Sequence, residues 1–596
     1  MVAGILLASA SPADAEAGRA AVIVHPPALQ ASAEAWAAYR RGQDWDIRLL
    51  AVESGESPDA LRTRIHAFFN DRPMTSEIRA VLLLGDAPSA VAGPADSPGA
   101  HRADPDGIPA FFFPQDEPAL LRGGEPTFPS DHPYALPDRP SERERLTSSI
   151  AVGRVPVATN EEALAVLDKI KRYESLPAEG TWRRRITYVA GEGRFGPFDR
   201  LLESLFIRFA DELLPPSFDL TMTYAKPGSP WCPPPSQVER TTLLRLTEGS
   251  LLFTYLGHGH AQGLDSMRVG DQRFPILRAS ALDELPPNDR LPIALLACCS
   301  TGWFDLPPKN GRERKSLAES MLLAANGPIA VVAGTRPTHP YGNAVMQKEL
   351  TRVLLAHGDQ PLGEIDRLTR IEMMRLDDDD RTLDAIVRPV AIATDWKLSL
   401  ADLRRMHVRM YVLVGDPMLR VIDQGENLAS VELLNHGRDM GLALAVDDGW
   451  IRSAEIVGET ARSAQPQHPS APPLTELPEP FAPLEEIERD ARARFPLANM
   501  RGRLSLTTSP VDHPLIADMI ESRSRLANAA HPVPWIRDLP RSPRFSRPGE
   551  WTILLPARSL EGVGLIRVRI EGQRFDGSRF EAFGGVRVER PRSTAP

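Results

Sequence analysis

The first two thirds of the chain alternate between short apolar runs and segments with helical periodicity. The apolar run at residues 21–26 is followed by a helix-like pattern at residues 32–42, and the same alternation continues toward residue 424. Alternating strands and helices indicate βαβ units and a parallel sheet. We therefore predict two α/β subdomains, one at residues 20–178 and the other at residues 179–424.

The pattern changes from residue 425 onward. Short strand-like runs such as residues 431–436 and 564–572 are separated by turn residues. Such runs are typical of an all-β sandwich, so an Ig-like domain is predicted at residues 425–596. Residues 463–483 are rich in proline and are interpreted as an extended linker or an insertion.

Two stretches near the start lack this periodicity. Residues 90–140 are rich in Pro, Gly and Asp and predict a long loop. Residues 1–19 combine an apolar run with small residues, as a signal peptide does, but lack its basic beginning. We interpret them as a disordered start or a remnant export signal. The compartment stays open between secreted or periplasmic and cytoplasmic.

Composition narrows the possible functions. Across 596 residues the chain is 42% hydrophobic and 25% charged, as in soluble globular proteins. Its net charge of -10 argues against a general nucleic-acid binder. No apolar run reaches the roughly 18 residues that a membrane span needs. With only Cys232, Cys298 and Cys299, a disulfide framework is not the source of stability.

Reactive side chains follow two apolar runs between Ser250 and Asp305. The first run ends at His258, and the second ends at Cys298 and Cys299. In α/β sheets, catalytic groups gather at the carboxyl ends of parallel strands. A histidine and a cysteine on neighbouring strand ends can support thiolate nucleophilic catalysis. The other interpretation makes the histidine a polar turn residue and the cysteines packing thiols.

Over residues 20–425 the chain resembles the gingipain-type cysteine peptidases of the caspase-like clan. The motifs that carry the resemblance occur in the family's order: AVLLLGD, PSDHPY, IAVGRVPV, DKIKRYE, YLGHGH, ACCSTGWFD and LVGDPML. The resemblance implies a caspase-like parallel-sheet sandwich in two subdomains. It also implies a cysteine endopeptidase that acts through an acyl-enzyme.

The resemblance assigns the nucleophile and the base. In the family a Phe lies five residues after the nucleophile, and Phe304 stands in that position relative to Cys299. Cys298 is then expected on the opposite face, because side chains alternate along a strand. His258 matches the family's catalytic histidine. His260 is the competing candidate, and the glycine before it predicts a loop position for it.

The resemblance also implies further site residues. The backbone amides of Gly259 and Cys299 match the family's oxyanion donors, and Glu192 matches the acid that orients the histidine. Asp199 matches an acid of the specificity pocket and is equally a candidate helix N-cap. Tyr341 matches an aromatic wall of that pocket. An Asp at the bottom of the pocket would select Arg or Lys.

The predicted partners are a protein or peptide substrate and a regulatory protein. No cofactor is expected. Asp131 and the run Asp377–Asp380 are candidate calcium ligands, although their spacing matches no standard calcium loop. Two alternatives remain: a partner-regulated peptidase of a bacterial stress or defence system, and a catalytically silent scaffold with a protease fold.

Overall fold

The computed structural model describes most of the α/β region and the C-terminal strands. Apart from a few isolated residues, it describes residues 18–70, 78–88, 107–115, 125–136, 148–176, 181–193, 217–227, 232–309, 314–375, 399–421, 430–436, 439–446, 450–460, 544–545, 550–556, 563–573 and 579–587. Residues 1–17 of the predicted start at 1–19, the Pro-rich segment 463–483 and the acidic run at 377–380 lie outside these residues.

Strands and helices alternate in the α/β region, as its sequence pattern predicts. In chain order the described elements are β1 (Arg19–His25), α1 (Gln30–Arg41), β2 (Trp45–Ala51), α2 (Pro58–Asn70), β3 (Ile78–Leu84), β4 (Phe111–Pro114), β5 (Thr127–Ser130), β6 (Ala151–Val155), α3 (Asn160–Glu174), β7 (Arg185–Gly191), β8 (Asp219–Ala225), α4 (Val238–Thr247), β9 (Leu252–Leu256), β10 (Gly259–His260), β11 (Gly263–Leu264), β12 (Ser266–Val269), β13 (Gln272–Pro275), β14 (Ile293–Ala297), α5 (Leu317–Leu323), β15 (Ala330–Gly334), α6 (Pro340–Ala356), α7 (Leu362–Met374), α8 (Leu400–Met410) and β16 (Tyr411–Val414).

Within the described part of the chain, ten strands form one continuous sheet. Their order is β2-β1-β3-β6-β16-β15-β14-β9-β7-β8. Neighbouring strands are parallel everywhere except between β15 and β16. The sheet therefore consists of two parallel blocks of five strands that run in opposite directions. We call the block that contains β7, β9, β14 and β15 the cysteine block, and the other the partner block.

The central strands of the sheet are buried on both faces. Every residue of β9, β14 and β15 is buried, and each sequence is a continuous apolar or small run with no polar alternation. Helices that cover both faces of a parallel sheet require this composition. The same runs therefore supply the core and bring the residues that follow each strand to one edge.

Two helix starts follow directly from their sequences. The Thr159 side chain accepts a hydrogen bond from the Glu162 N–H at the start of α3. Ser316 and Glu319 form a reciprocal capping box at the start of α5. Such caps satisfy N–H groups that the first turn of a helix leaves without intrahelical partners.

The C-terminal strands that the structure describes form two separate antiparallel sheets. Their members are β17 (Ser430–His436), β18 (Asp439–Ala445), β19 (Trp450–Thr460), β20 (Arg544–Phe545), β21 (Glu550–Pro556), β22 (Val563–Gln573) and β23 (Arg579–Arg587). The sheet orders are β17-β18-β21-β20 and β19-β22-β23. Leu442, Leu444, Ile566 and Ile570 are among the buried residues of a separate small core. The Ig-like topology of this region stays a prediction.

Three described features differ from the sequence pattern. Residues 90–140 are not wholly irregular, because β4 and β5 pair as an antiparallel ribbon within them. The edge strand β8 and the long strand β19 were not predicted. The predicted boundary at residue 178 falls within the ten-stranded sheet, whereas the strands from residue 430 onward belong to other sheets. Both predicted boundaries, at residues 178 and 424, stay predictions.

Candidate active site

The parallel order of the cysteine block brings its strand ends together. Ala190 of β7, Leu256 of β9 and Ala297 of β14 form one row of paired residues across three neighbouring strands. Two positions beyond this row, on the respective chains, come Glu192, His258 and Cys299. The three residues of the predicted catalytic group therefore follow their strands at the same edge of the sheet.

The loop after β9 carries His258, and the loop after β14 carries Cys299; we call them the histidine loop and the cysteine loop. The two loops touch at Gly259. A Cβ atom at this position would lie 2.7 Å from the Cys298 sulfur and 3.0 Å from the carbonyl oxygen of Cys299. It would also lie 3.0 Å from the Thr301 methyl group. Contacts this short with backbone and packed side chains leave no room for a larger residue. Glycine is thus required for the residue after His258 to pack against the backbone of Cys299.

The two adjacent cysteines have different environments. Cys298 is completely buried, and its sulfur lies 3.5 Å from the Thr301 hydroxyl. Burial raises the pKa of the Cys298 thiol well above its ordinary value, because a thiolate there would lose its hydration. Cys299 is partly exposed. Only Cys299 combines a strand-end position with access to solvent.

The Cys299 sulfur faces the loop that follows β15. The Thr338 N–H donates toward this sulfur across 3.4 Å, and the Thr338 hydroxyl lies 3.8 Å from it. The sulfur lies 3.7 Å from the Thr338 carbonyl oxygen, which accepts from the thiol. One residue thus offers the sulfur two donors and one acceptor.

The chain turns sharply just after Cys299. Ser300 has a φ of 59°, which places a residue other than glycine in the left-handed region. Its N–H donates to the Arg336 carbonyl at 3.0 Å, and the Gly302 N–H donates to the Gly334 carbonyl at 2.8 Å. Backbone conformations of this kind persist where the surrounding structure fixes them. Here the loop after β15 fixes the turn.

A buried ion pair joins the same two loops. The Arg336 guanidinium donates to both carboxylate oxygens of Asp305, at 2.7 and 2.6 Å. It also lies 4.2 Å from the centroid of the Trp303 ring. Both charged groups are almost fully buried, and a bidentate arrangement is the strong form of such a pair. The pair therefore fixes the cysteine loop on the strand-end loop of β15.

The backbone of His258 is held on the opposite side. The Tyr255 hydroxyl donates to the His258 carbonyl at 2.8 Å, and the Asp265 N–H donates to the same oxygen at 3.0 Å. The Tyr255 hydroxyl fits there because Gly191 and Gly257 flank it. A Cβ on either glycine would lie 2.7 Å from the hydroxyl oxygen of Tyr255. The His258 side chain is partly buried, and its carbonyl is fixed by two donors.

His260 and Glu192 occupy distinct places around this centre. His260 lies in β10, a two-residue strand rather than the expected loop, and is exposed. Burial of part of its ring lowers the pKa of His260, and the Gln262 N–H donates to its Nδ1. Glu192 follows β7 directly and is partly buried. Burial raises the pKa of the Cys232 thiol to about 12, and the nearby charge of Glu192 adds to the rise.

The two predicted pocket residues have different outcomes. Tyr341 lies in the first turn of α6 and is 1% exposed. Its hydroxyl accepts a hydrogen bond from Arg404 Nε at 2.6 Å and donates to Asp384 at 2.6 Å. Asp199 lies outside the described residues. The structure therefore brings Glu192, His258, Gly259 and Cys299 to one edge and places Tyr341 within a buried polar network.

The candidate calcium ligand Asp131 has other partners. Both of its carboxylate oxygens accept from the Arg154 guanidinium, at 2.7 and 2.8 Å. Among the described residues, no group of three or more His, Cys, Asp and Glu side chains is arranged to hold a metal ion. No helix within the described ranges has the length and apolarity that crossing a bilayer requires.

Sequence reasoning missed Thr338, Arg336 and Asp305. Thr338 is four residues past β15, and no strand register predicts that it faces the Cys299 sulfur. In the sequence, Asp305 served only as the end of the stretch that begins at Ser250, and no role in the site was predicted for it. The position of Arg336 at the end of the neighbouring strand is the one sequence signal that points to it.

With this geometry established, residues 14–422 match the model of peptidase family C25, the gingipain family. The chain belongs to peptidase family C25. It is therefore a cysteine-type peptidase with a large, mostly parallel central sheet, and the family and α/β class predicted from sequence are confirmed.

Solved structures of proteases are distantly similar to the chain. The Arg-specific cysteine proteinase gingipain R is 16% identical with a TM-score of 0.46, covering 75% of this chain and 88% of that one. The complex of Porphyromonas gingivalis RgpB pro- and mature domains is 15% identical with a TM-score of 0.44, covering 74% and 88%. A further protease is 11% identical with a TM-score of 0.46, covering 96% and 97%. No relative was found among curated proteins.

Proposed function

We propose that this C25 peptidase is an endopeptidase in which Cys299 is the nucleophile and His258 the general base and acid. The observation that carries the proposal is the junction at Gly259. The residue next to His258 abuts the backbone of Cys299 at the end of two paired strands. A cysteine peptidase requires an imidazole and a thiol at one place, and this edge of the sheet supplies both.

The environments of the two cysteines favour Cys299. A thiolate is the reactive species, and reactive cysteines are partly exposed. Cys298 is buried with a raised pKa, which suits a packing thiol. Cys299 is accessible and has hydrogen-bond donors next to its sulfur.

The proposed reaction has two steps. Cys299 passes its proton to the His258 imidazole, and its sulfur attacks the scissile carbonyl carbon. The C–N bond then breaks, and the imidazolium gives the proton to the leaving amine. Water, deprotonated by the same imidazole, hydrolyses the thioester, and the sulfur recovers its proton. Glu192, two positions beyond the paired row like His258, is the proposed positioning residue for the imidazole.

Gly259 is the proposed source of one oxyanion-hole donor, and the Cys299 amide is the other. The Asp265 N–H donates to the His258 carbonyl, so His258 and Asp265 lie opposite each other as a hydrogen-bonded pair. Hydrogen-bonded and non-hydrogen-bonded pairs alternate along an antiparallel ladder, so the next pair, Gly259 and Leu264, is of the non-hydrogen-bonded kind. The β10–β11 ladder therefore does not use the Gly259 N–H. A backbone donor near the nucleophile can stabilise the charge that develops on the carbonyl oxygen.

A labelling experiment tests the assignment. The full chain is treated with an acyloxymethyl-ketone probe that carries Arg, and labelling is read on a gel and by mass spectrometry. We expect Cys299→Ala to abolish labelling and turnover, and Cys298→Ala to retain both. The opposite result would assign the reaction to Cys298. Labelling that requires an added cell extract would indicate the partner-regulated form of the enzyme.

The proposed cleavage specificity is for Arg or Lys, with Asp199 at the bottom of the pocket and Tyr341 as its wall. It rests on the resemblance to the Arg-cutting members of the family. A fluorogenic panel that varies only the residue before the cleaved bond tests it. Preference for basic residues that disappears in Asp199→Asn supports the assignment. Preference for neutral or acidic residues would contradict it.

A further inference from the structure

A residue outside the predicted catalytic group touches the reactive sulfur. Thr338 is buried, with 6% of its surface exposed, and both its N–H and its hydroxyl lie within hydrogen-bonding reach of Cys299 Sγ. We propose that Thr338 is a further catalytic residue that stabilises the Cys299 thiolate and thereby raises the reactive fraction of the enzyme. This proposal rests on the assignment of Cys299 as the nucleophile.

The direction of the Thr338 hydroxyl is fixed by packing. A Cβ at Gly334 would lie only 2.5 Å from the Thr338 Cγ2 methyl group, so this methyl group sits directly over the glycine. A threonine side chain has three staggered positions, and the place of the methyl group also determines that of the hydroxyl. Gly334 thus gives the methyl group space and leaves the hydroxyl on the side of the sulfur.

The Thr338 backbone is also fixed. The next residue, His339, donates its N–H to His407 Nε2 at 2.8 Å. The His407 ring lies over Gly342, where a Cβ would come within 2.3 Å of it, and its Nδ1 is 2.7 Å from the Leu403 carbonyl. The imidazole therefore links the loop to α8 and α6. A donor held in place before the reaction loses little freedom when it binds the charged sulfur.

The three contacts suit different protonation states of Cys299. In the thiol state the S–H group donates to the Thr338 carbonyl. In the thiolate state the N–H and hydroxyl both donate to the sulfur, and the N–H is the nearest of the three groups. Hydrogen bonds to the charged form of a group favour that form. Loss of the hydroxyl should therefore move thiolate formation to higher pH.

Two substitutions separate the hydroxyl from the shape of the side chain. Thr338→Val keeps the volume, the β-branch and the backbone N–H but removes the hydroxyl. Thr338→Ser keeps the hydroxyl and removes the methyl group. The rate of Cys299 alkylation by iodoacetamide is measured from pH 5 to 10 by mass spectrometry, together with kcat and KM.

We expect Thr338→Val to shift the alkylation midpoint upward by about half a pH unit or more. At neutral pH kcat/KM should fall roughly three- to tenfold, with the loss in kcat rather than KM. Thr338→Ser should restore most of both. An unchanged midpoint in Thr338→Val, with normal stability, would overturn the proposal.

Thr335→Val is the matched control from the same loop. The Thr335 hydroxyl is buried and donates to the Pro129 and Met410 carbonyls rather than to the sulfur. This control should lower the melting temperature without moving the alkylation midpoint. A midpoint shift equal to that of Thr338→Val would reduce the role of Thr338 to a structural one. Full activity in Cys299→Ala would instead refute the nucleophile assignment itself.

Discussion

The two parallel blocks of the sheet use polar residues at their strand ends in opposite ways. In the cysteine block, Cys299 follows β14 and remains partly exposed beside a left-handed Ser300. In the partner block, Asp416 follows β16 and is completely buried. Its Oδ2 accepts from Trp36 and Arg40, and its Oδ1 accepts from the Met418 N–H.

The difference shows what separates a reactive strand end from a structural one. Around Asp416 both carboxylate oxygens have donors and no solvent reaches the group, so the residue can only join elements. Around Cys299 the backbone is fixed by the neighbouring loop, while the side chain stays accessible. A residue two positions after a parallel strand therefore serves packing when its neighbours bond all of its side-chain polar atoms. It can serve chemistry when they fix only its backbone.

The largest expected effect concerns the partner block. Arg40→Met would remove the guanidinium that Asp416 and Glu174 share, and leave two carboxylates buried without it. Breaking a buried pair from one side typically costs about 3–5 kcal/mol. We expect a loss of this size in the free energy of unfolding, measured with urea, and unchanged activity per folded molecule.

Arg405→Met is the control for this variant. Arg405 pairs with Asp402 on the surface, where about half of each side chain is exposed. Such pairs contribute less than about 1 kcal/mol. Equal losses of unfolding free energy in the two variants would show that the buried pairs of Arg40 stabilise the fold no more than the surface pair of Arg405.

The second prediction concerns pH and the loop next to Cys299. Burial lowers the pKa of His407 to about 4, from an ordinary value of 6.5. Below pH 6.5 the unfolded chain binds a proton that the folded imidazole does not bind, so the unfolding free energy falls as pH drops toward 4. The full effect is about 3 kcal/mol and is absent above pH 6.5.

His407→Gln tests this assignment. The glutamine amide can still accept the His339 N–H but does not titrate. Urea midpoints at pH 4, 5.5 and 7 should depend less steeply on pH in this variant than in the native chain. Identical slopes would mean that other groups, such as carboxylates, account for the acid sensitivity.

The smallest of the three effects concerns the junction of the histidine and cysteine loops. Gly259→Ala places a Cβ 2.7 Å from the Cys298 sulfur and 3.0 Å from the Cys299 carbonyl, which must separate the loops. Displacements of about 1 Å at a catalytic centre can reduce the rate about 10²-fold, or roughly 2.7 kcal/mol. We expect kcat/KM to fall by this order.

Gly270→Asn is the matched glycine control. Gly270 has a φ of 58° in the turn between β12 and β13, and nothing lies within 4 Å of a Cβ there. Asparagine tolerates this conformation better than most residues. Activity should therefore be retained. Retained activity in Gly259→Ala as well would contradict the assigned role of the junction.

The sequence predicted the cysteine block well, because its strands are continuous apolar runs. The runs ending before His258 and Cys299 became β9 and β14, and the family motifs gave their order. The register between strands was beyond the sequence. Only the paired row of Ala190, Leu256 and Ala297 shows that the three candidate residues come the same number of positions after their strands.

Contacts between loops were the part that the sequence could not predict. Thr338 and Arg336 contact the cysteine loop through backbone groups as well as side chains, and backbone contacts leave no residue pattern. The edge strand β8 has polar residues, including two buried threonines at 221 and 223, so it lacked the apolar run that identified its neighbours. Tyr341 was assigned from a motif, and its hydroxyl is bonded to Arg404, which lies 63 positions away in the sequence.

The spatial order of the ten strands in the large sheet does not follow their order along the chain. β16, the last of the ten to be synthesised, lies inside the sheet and pairs with both β15 and β6. Pairings between distant segments form slowly, and domains fold as units during synthesis. More than a hundred residues must therefore be synthesised after His258 and Cys299 before β16 is available to join the two blocks.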